Sequence, residues 1–184
     1  NIKVKNKERQ VLTKEEVYQL YEAIDHEIIK TLVIFLYFTG LRIGEAVKLN
    51  LKDLDLEEGL VKVVGGKGDK DRTLPLNEEI REILKNYLEK LRPRVDSKRL
   101  FATEKTGKVS PQYVNLLIKE GEEKLGWKKN ITAHNLTHSY ATALIQKEVN
   151  IVHVSKLLGH SSVKTTSIYT HSSLEDLRKS VASL

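Results

Sequence analysis

The sequence predicts a mainly α-helical domain that contains one small three-stranded antiparallel sheet (α+β). Apolar residues recur at helical spacing through most of the chain, whereas residues 54–76 carry β-branched or alternating residues divided by glycine turns. The 184 residues, 40% of them hydrophobic, are enough to bury one core, and no internal repeat divides them. We therefore expect residues 1–184 to form a single domain.

The first part of the chain predicts helices that begin and end at recognisable capping residues. Thr13 and Glu16 are spaced as a capping box, in which each side chain accepts a hydrogen bond from the other residue's main-chain N–H. Residues 27–38 are nearly all apolar, which is typical of a buried helix, and Gly40 provides its stop. The predicted helices are Lys14 to Ile24, residues 27–38, and Arg42 to about Leu49.

Glycine-rich turns separate three short predicted strands. Gly59 marks the first turn, and residues 65–69 mark the second turn, with Lys67 at its tip. We expect these strands to form one small antiparallel sheet. The predicted strands are Leu54 to Leu56, Leu60 to Val64, and Arg72 to Leu76.

The rest of the chain again predicts helices. Asn77 is an N-cap residue, and Ser110 followed by Pro111 is an N-cap with proline at the first helical position. The helices that these residues cap are predicted to end near Leu91 and near Leu125. Further helices are predicted over residues 134–146, 151–158, 162–168 and 173–182.

The charge balance favours an anionic partner such as nucleic acid. Lys and Arg total 31 against 25 Asp and Glu, which gives a formal charge of +6 and a pI of about 9.3. The absence of cysteine excludes disulfide and thiol chemistry, and no apolar run is long enough to span a bilayer. With no recognisable signal peptide, we expect a cytoplasmic protein. The absence of methionine, including an initiator, predicts a trimmed or internal fragment.

Several polar residues are spaced for work on a phosphate. Arg42 follows an apolar helix and Gly40, which places its planar donor fork at the edge of the core, where phosphate binding is less screened by solvent. Glu45 lies three residues later on the same helical face and could orient that fork. Lysines on a glycine-rich hairpin are usually solvated. Because Arg42 and the other motifs occur in the same chain, we interpret Lys67 and Lys70 as candidate phosphate-binding residues.

Histidines and a tyrosine in the last third complete the candidate set. His134 and His138 have the i, i+4 spacing of some zinc ligands, but no cysteine or nearby carboxylate completes a metal site, so we expect no metal. His138 is more typical of a packing residue. His160 follows Gly159 at a helix end, and Tyr169 lies nine positions further along. A tyrosine suits transesterification because a covalent phosphotyrosine conserves the bond energy needed for rejoining.

Together these motifs resemble the tyrosine recombinase family of the phage integrase and Xer type, over nearly the whole chain. The resemblance implies the tyrosine recombinase catalytic-domain fold. It assigns Tyr169 as the nucleophile and Lys67 as the acid that protonates the leaving 5′ oxygen, with Lys70 as an alternative. The positions that match the family's other catalytic residues are Arg42, His134, Thr137 and His160.

The resemblance also implies an activity and partners. It implies a site-specific DNA recombinase that cuts and rejoins strands through a 3′-phosphotyrosyl intermediate without metal or nucleotide cofactors. Double-stranded DNA would be contacted by Arg42, Lys67, Lys70 and Arg72. A nucleoid-associated tetramer would assemble on two DNA sites through the C-terminal helix, and an amino-terminal DNA-clamping domain would be missing from this fragment.

One position departs from the family pattern. Thr137 stands where the family carries a second arginine that holds a non-bridging phosphate oxygen. Losing one such donor costs about 10²–10³ in rate, so we expect impaired cleavage. The chain could be an engineered inactive variant, a natural degenerate relative, or an enzyme that recruits another cation. The alternative functions are a non-catalytic DNA-binding module of the same fold and a type IB topoisomerase-like relaxing activity.

Overall fold

The computed structural model describes residues 10–65, 70–159 and 174–184. It confirms a mostly helical fold with one three-stranded antiparallel sheet. The α-helices are α1 (Lys14–Ala23), α2 (Glu27–Thr39), α3 (Ile43–Ala46), α4 (Glu78–Asn86), α5 (Pro111–Leu125), α6 (Ala133–Gln146), α7 (Ile151–Leu158) and α8 (Leu174–Ala182). The strands are β1 (Leu54–Asp55), β2 (Leu60–Val63) and β3 (Arg72–Pro75).

Helix α2 forms the centre of the core. Its residues are apolar on all sides, so the helix is stable only where neighbours surround it, and α1, α4, α5 and α6 all pack against it. The helix ends at Gly40, which adopts a left-handed conformation with φ of 67°. This stop delivers the next residues, Leu41 and Arg42, to the edge of the core.

The sheet has the order β1-β2-β3, with antiparallel pairing throughout. Val63 pairs with Arg72 next to the second turn, and Leu60 pairs with Pro75 at the far end. Val61 and Val63 of β2 face the core, while Lys62 between them is exposed. The alternation therefore turns one face of the hairpin toward the core and leaves Lys62 on the outer face.

Two predicted helices differ from the structure. The third helix ends at Ala46 rather than near Leu49, because the chain beyond it pairs with a distant segment: Leu100 N–H donates to the Leu49 carbonyl at 2.9 Å, and Asn50 forms a β-bridge with Arg99. The helix expected to continue to Leu91 widens into a π-helical turn over Tyr87–Leu91. A 3₁₀ turn at Leu51–Asp53 is an element that the pattern does not predict.

The remaining boundaries agree with the predictions to within two residues. The Thr13–Glu16 capping box is present, and Ser110 and Asn77 both cap their helices. The predicted helix over residues 162–168 lies outside the described residues. Within the described part of the chain, no helix is both long and apolar enough to cross a bilayer.

Candidate active site

Arg42 stands at the N-cap of α3, two residues after the Gly40 that ends α2. Its main-chain N–H donates to Glu45 Oε1 at 3.0 Å, and its Nη1 lies 3.9 Å from Glu45 Oε2. The Arg42 side chain is 45% exposed. Glu45 thus contacts both the main chain and the side chain of Arg42, and the guanidinium still reaches the surface.

Glu45 has a closer partner in Arg72, at the start of β3. The two groups form a bidentate pair, with Arg72 Nη1 2.6 Å from Oε2 and Nη2 3.1 Å from Oε1, and both side chains are 10% exposed. Burial raises the pKa of the Glu45 carboxyl, but hydrogen bonds from Arg72 and from the Arg42 main chain outweigh burial and hold that pKa below its ordinary value. The carboxylate is therefore charged at neutral pH.

Arg72 also reaches the end of α7. Its Nε donates to the Leu157 carbonyl at 3.2 Å. The sequence predicts Arg72 as a DNA contact, yet its guanidinium lies largely buried between α3 and α7. This contact brings together three segments that are far apart in the chain.

Helix α6 places Thr137 beside the residue that precedes Arg42. Thr137 Oγ1 donates to the carbonyl of Leu41, the residue before Arg42, at 2.9 Å. His134 lies one turn earlier on α6 and is exposed, while His138 is half-buried. The family positions Thr137 and Arg42 therefore lie close together although the chain separates them widely, and His134 lies on the same helix as Thr137.

The start of α6 is held by side chains from other segments. Asn115 of α5 accepts a hydrogen bond from the Ala133 N–H at 2.9 Å, and Asn135 Nδ2 donates to the Gln10 carbonyl at 3.1 Å. The first of these bonds satisfies a main-chain group that a helix start leaves open, and both fix the helix against its neighbours. His134 therefore projects from a firmly anchored helix end.

The approach of α2 to α6 depends on Gly40. A Cβ at this position would collide with the ring of Tyr140 on α6 and lie 3.1 Å from Leu158 Cδ2 on α7. Tyr140 is 1% exposed, so its ring has little room to move. Only glycine allows the backbone before Arg42 to lie this close to α6 and α7.

A basic groove begins at Arg42 and includes lysines that the motif analysis missed. The groove has a volume of about 650 Å³ and runs past Lys48 and Lys52 to Lys62 on β2, with Asp53 also on its wall. Lys62 could have been found from the alternation of β2, which places it opposite the buried valines. No local pattern indicates that Lys48 and Lys52 line the groove, because they flank Asn50, which pairs with the distant Arg99.

Three predicted site residues, Lys67, His160 and Tyr169, lie outside the described residues. The described residues next to them are held by specific contacts. The Gly65 N–H donates to Asp71 Oδ1 at 3.0 Å across the base of the hairpin, and Gly159 caps α7 with φ of 72° immediately before His160. Lys70, the alternative to Lys67, is exposed.

Most other tyrosines are poor nucleophiles by their surroundings. Burial raises the pKa of Tyr87 to about 12 and that of Tyr140 further, and it also raises the pKa of the Tyr18, Tyr21 and Tyr37 hydroxyls. A raised pKa disfavours the phenolate that attack requires. Tyr113 lies on α5 with its ring against His26. None of the contacts described above joins this position to a candidate site residue.

The described ranges contain no group of three His, Asp or Glu side chains arranged to hold a metal ion. The histidine pair at positions 134 and 138 is therefore not extended by further ligands from that part of the chain.

Comparison with known proteins identifies the family. The sequence model of the phage integrase family matches residues 10–176. Tyrosine recombinase XerA of Pyrococcus furiosus is 39% identical over 175 residues, which cover 92% of this chain and 60% of that protein. The chain thus spans about 60% of the length of this curated relative.

Solved structures agree with the sequence comparison. A crystal structure of XerA recombinase matches with a TM-score of 0.75 and 34% identity over 92% of this chain and 63% of that chain. The XerH site-specific recombinase, solved bound to difH substrate in a pre-cleavage complex, matches with a TM-score of 0.65 and 33% identity over 90% of this chain and 51% of that chain. The chain therefore belongs to the phage integrase family, and its fold is that of a tyrosine recombinase catalytic domain.

Proposed function

We propose that this chain is the catalytic part of a site-specific DNA recombinase that cuts and rejoins DNA strands through a 3′-phosphotyrosyl intermediate on Tyr169. One observation carries the proposal: the 2.9 Å hydrogen bond from Thr137 to the Leu41 carbonyl holds α6, the helix of His134 and Thr137, against the residue that precedes Arg42. The Arg42 guanidinium, which is 45% exposed, also lies on the wall of the basic groove.

In this mechanism Tyr169 attacks the scissile phosphorus, and the bond from phosphorus to the 5′ oxygen breaks. Lys67 gives its proton to that departing oxygen, so a free 5′-hydroxyl leaves and the 3′ phosphate stays on the tyrosine. Arg42 holds a non-bridging oxygen and His160 donates a hydrogen bond to the phosphate, while His134 either contacts the phosphate or takes the proton that the tyrosine hydroxyl loses. Attack by a 5′-hydroxyl of the partner strand reverses these steps and releases Tyr169.

The partner is double-stranded DNA. The chain carries a net charge of +6, and exposed lysines line the groove that leads from Arg42. The XerH site-specific recombinase was solved bound to difH substrate, and site-specific recombination acts on DNA, which supports the same class of substrate here. Lys67 and Lys70 would add contacts from the hairpin.

We further propose that full activity needs more than this segment. A longer protein would supply an amino-terminal DNA-clamping domain, and four copies would assemble on two DNA sites in the cytoplasm, where the nucleoid lies. The C-terminal helix α8 packs on β3 and α7 of its own chain, with Val181 2% exposed. It would join the copies through its exposed side, where Leu174 is 38% exposed.

Thr137 weakens the proposed catalysis. Its side chain carries no charge, and its hydroxyl is engaged with the Leu41 carbonyl. The transition state would then have one arginine clamp instead of two. This observation favours the second candidate function, a non-catalytic DNA-binding module of the same fold.

A covalent-capture experiment decides between these functions. Three proteins are compared: the parent chain, Thr137→Arg, and Thr137→Arg/Tyr169→Phe. Each is incubated with a labelled pool of nicked duplexes of randomised sequence. The nick lets the cleaved fragment diffuse away, so that the covalent adduct cannot be reversed. We expect a labelled protein band on a denaturing gel for Thr137→Arg, a weak one for the parent, and none for the phenylalanine variant.

The other outcomes are equally informative. DNA retention on a native gel without any covalent band, in all three proteins, would establish the binding module. A band of undiminished yield in the phenylalanine variant would overturn Tyr169 as the nucleophile. The duplex sequence recovered from the covalent adduct can be placed twice in a supercoiled plasmid. Relaxation of that plasmid without strand exchange between the two sites would instead indicate topoisomerase-like activity.

A further inference from the structure

Arg72 uses three of its five N–H donors inside the protein. Nη1 and Nη2 bind the two oxygens of Glu45, and Nε binds the Leu157 carbonyl, so donors on all three nitrogens have acceptors. The side chain is 10% exposed. At this exposure the guanidinium offers a phosphate little accessible surface, and opening the buried pair to expose more of it is strongly unfavourable because it leaves an uncompensated charge.

The three segments that meet at Arg72 each lead to a residue of the proposed site. Glu45 belongs to α3, which starts at Arg42. Leu157 lies three residues before His160, and Arg72 itself lies five residues after Lys67 along the hairpin.

The end of α7 is shaped to receive this guanidinium. Gly159 has φ of 72°, and a Cβ there would lie 2.8 Å from Arg72 Nη1 and 2.9 Å from Cζ. The space that Arg72 occupies therefore exists only because residue 159 has no side chain. The contact between β3 and α7 is close and specific.

We propose that Arg72 is a positioning residue, which holds the Lys67 hairpin, the Arg42 helix and the segment leading to His160 in one register and does not contact DNA. The inference rests on the proposed function for its catalytic consequence. Its structural basis is the network of Glu45, Arg72 and the Leu157 carbonyl.

Lysine cannot replace arginine in this role. An ammonium is a point charge on a flexible stem, whereas the planar guanidinium meets both carboxylate oxygens and a carbonyl in one fixed geometry. A phosphate contact is less demanding, since lysine commonly binds phosphate. The effect of Arg72→Lys therefore separates the two roles.

The test compares Arg72→Lys and Arg72→Gln with a matched control, Arg81→Lys, all in the Thr137→Arg background. Arg81 is also a partly buried arginine that donates to two carbonyls, those of Leu56 at 2.9 Å and of Glu57, but it lies on α4 away from the site. The rate of covalent adduct formation is measured under single-turnover conditions on the duplex recovered in the covalent-capture experiment. We expect a loss of tenfold or more for Arg72→Lys and a change of less than threefold for Arg81→Lys.

The salt dependence of DNA binding tests whether Arg72 contacts phosphate. Each neutralised phosphate contributes about 0.9 to the slope of log K against log salt. We expect the slope for Arg72→Gln to equal that of its parent. A slope lower by about 0.9 would overturn the proposal, as would an adduct rate that Arg72→Lys retains.

A double-variant cycle tests the coupling to Glu45. If the pair acts as a unit, Arg72→Gln/Glu45→Gln forms adduct no more slowly than the slower single variant. Losses that multiply would show that the two residues act independently and would overturn the inference.

Hydrogen exchange separates failure of this inference from failure of the proposed function. Amides of residues 60–65, 70–74 and 151–159 should exchange at least tenfold faster in Arg72→Lys but not in Arg81→Lys. If no protein forms an adduct, the proposed function fails, and the exchange rates still show whether Arg72 holds these segments. Unchanged exchange would overturn the positioning role whatever the adduct rates are.

Discussion

The hydroxyl of Thr137 makes a bond that an arginine at this position would have to replace. Thr137 Oγ1 donates to the Leu41 carbonyl at 2.9 Å, so the threonine links α6 to the residue before Arg42 without adding charge. An arginine on the same face of α6 could extend past this carbonyl toward the phosphate that we propose Arg42 binds. The threonine therefore maintains the packing of the site but adds no cation to it.

Restoring the arginine should restore the chemistry. We expect Thr137→Arg to raise the yield of the Tyr169 adduct by about two orders of magnitude, because a donor aimed at the transition state contributes about 10²–10³ in rate. DNA affinity should rise less, since the charge acts mainly on the transition state. Adduct yield and DNA retention are measured on the same duplex. A threonine form that already cleaves as fast as the arginine form would show that another cation fills the position.

Lys67 should be needed only where the leaving oxygen requires a proton. In the Thr137→Arg background, Lys67→Ala should slow cleavage of ordinary DNA by about 10² or more, within the range of general acid catalysis. The Lys67→Ala variant should cleave DNA with a 5′-bridging sulfur nearly as well as its Thr137→Arg parent does, because a thiolate leaves without protonation. Equal losses on both substrates would make Lys67 a phosphate ligand, and sulfur rescue confined to Lys70→Ala would move the role to Lys70.

At the scale of elements, the site depends on the contact between the end of α2 and helix α6. Gly40 permits that contact in two ways: it adopts a φ of 67°, and it has no Cβ to collide with Tyr140. Since Leu41 and Arg42 follow directly, the packing of two helices determines where the guanidinium lies.

Gly40→Ala should destabilise the protein more than an alanine at another helix end. The left-handed conformation costs about 1–2 kcal/mol for a residue with a Cβ, and overpacking against Tyr140 adds about 1–3 kcal/mol. Gly126→Ala is the matched control, because Gly126 has φ of 69° and a Cβ there would meet no described neighbour within 4 Å. Denaturant unfolding should show a loss of about 2–5 kcal/mol for Gly40→Ala and about 1–2 kcal/mol for the control. Equal losses would show that the Tyr140 contact is unimportant.

Helix beginnings were more predictable than helix ends. A capping residue acts on amides within three residues, so Thr13, Asn77 and Ser110 reveal their helices locally. The end of α3 depends on Leu49 and Asn50 pairing with residues 98–100, a contact that no local pattern reveals.

At the scale of the whole molecule, carboxylates join elements that are distant in the chain. Glu79 of α4 pairs with Lys14 of α1 at 2.7 Å, and Glu45 of α3 pairs with Arg72 of β3. Burial raises the pKa of both carboxyls, but hydrogen bonds from their partners outweigh it and leave each pKa below the ordinary value of 4.5. Folding therefore favours the charged form of both groups.

This linkage predicts sensitivity to acid. A carboxyl whose pKa is depressed by folding stabilises the protein fully above its unfolded pKa and loses that contribution as pH falls through the folded pKa. The free energy of unfolding, measured in urea, should therefore be lower at about pH 3.5 than at about pH 7. The decline should be shallower in Glu45→Gln. Equal stability at both pH values would contradict the pKa directions.

DNA binding should weaken steeply with salt, because the cations of the groove displace counterions from phosphates. Lys48→Gln, Lys52→Gln and Lys62→Gln should each lower the slope of log K against log salt by about 0.9 if the side chain meets a phosphate. Fluorescence anisotropy with a labelled duplex measures this slope at several salt concentrations. An affinity unchanged between about 50 and roughly 200 mM salt would contradict an electrostatic interface.

The sequence by itself determined the fold class, most helix starts, the sheet and the order of the family motifs, because periodicity, capping and turn chemistry act over a few residues. Only the tertiary structure decided which side chains meet: Thr137 with the Leu41 carbonyl, and Arg72 with Glu45 and the Leu157 carbonyl. The sequence predicts Arg72 as a DNA contact because its charge is visible there, whereas its 10% exposure is visible only in the structure. Burial results from the packing of α3, β3 and α7 around it, and that packing depends on contacts between residues far apart in the chain.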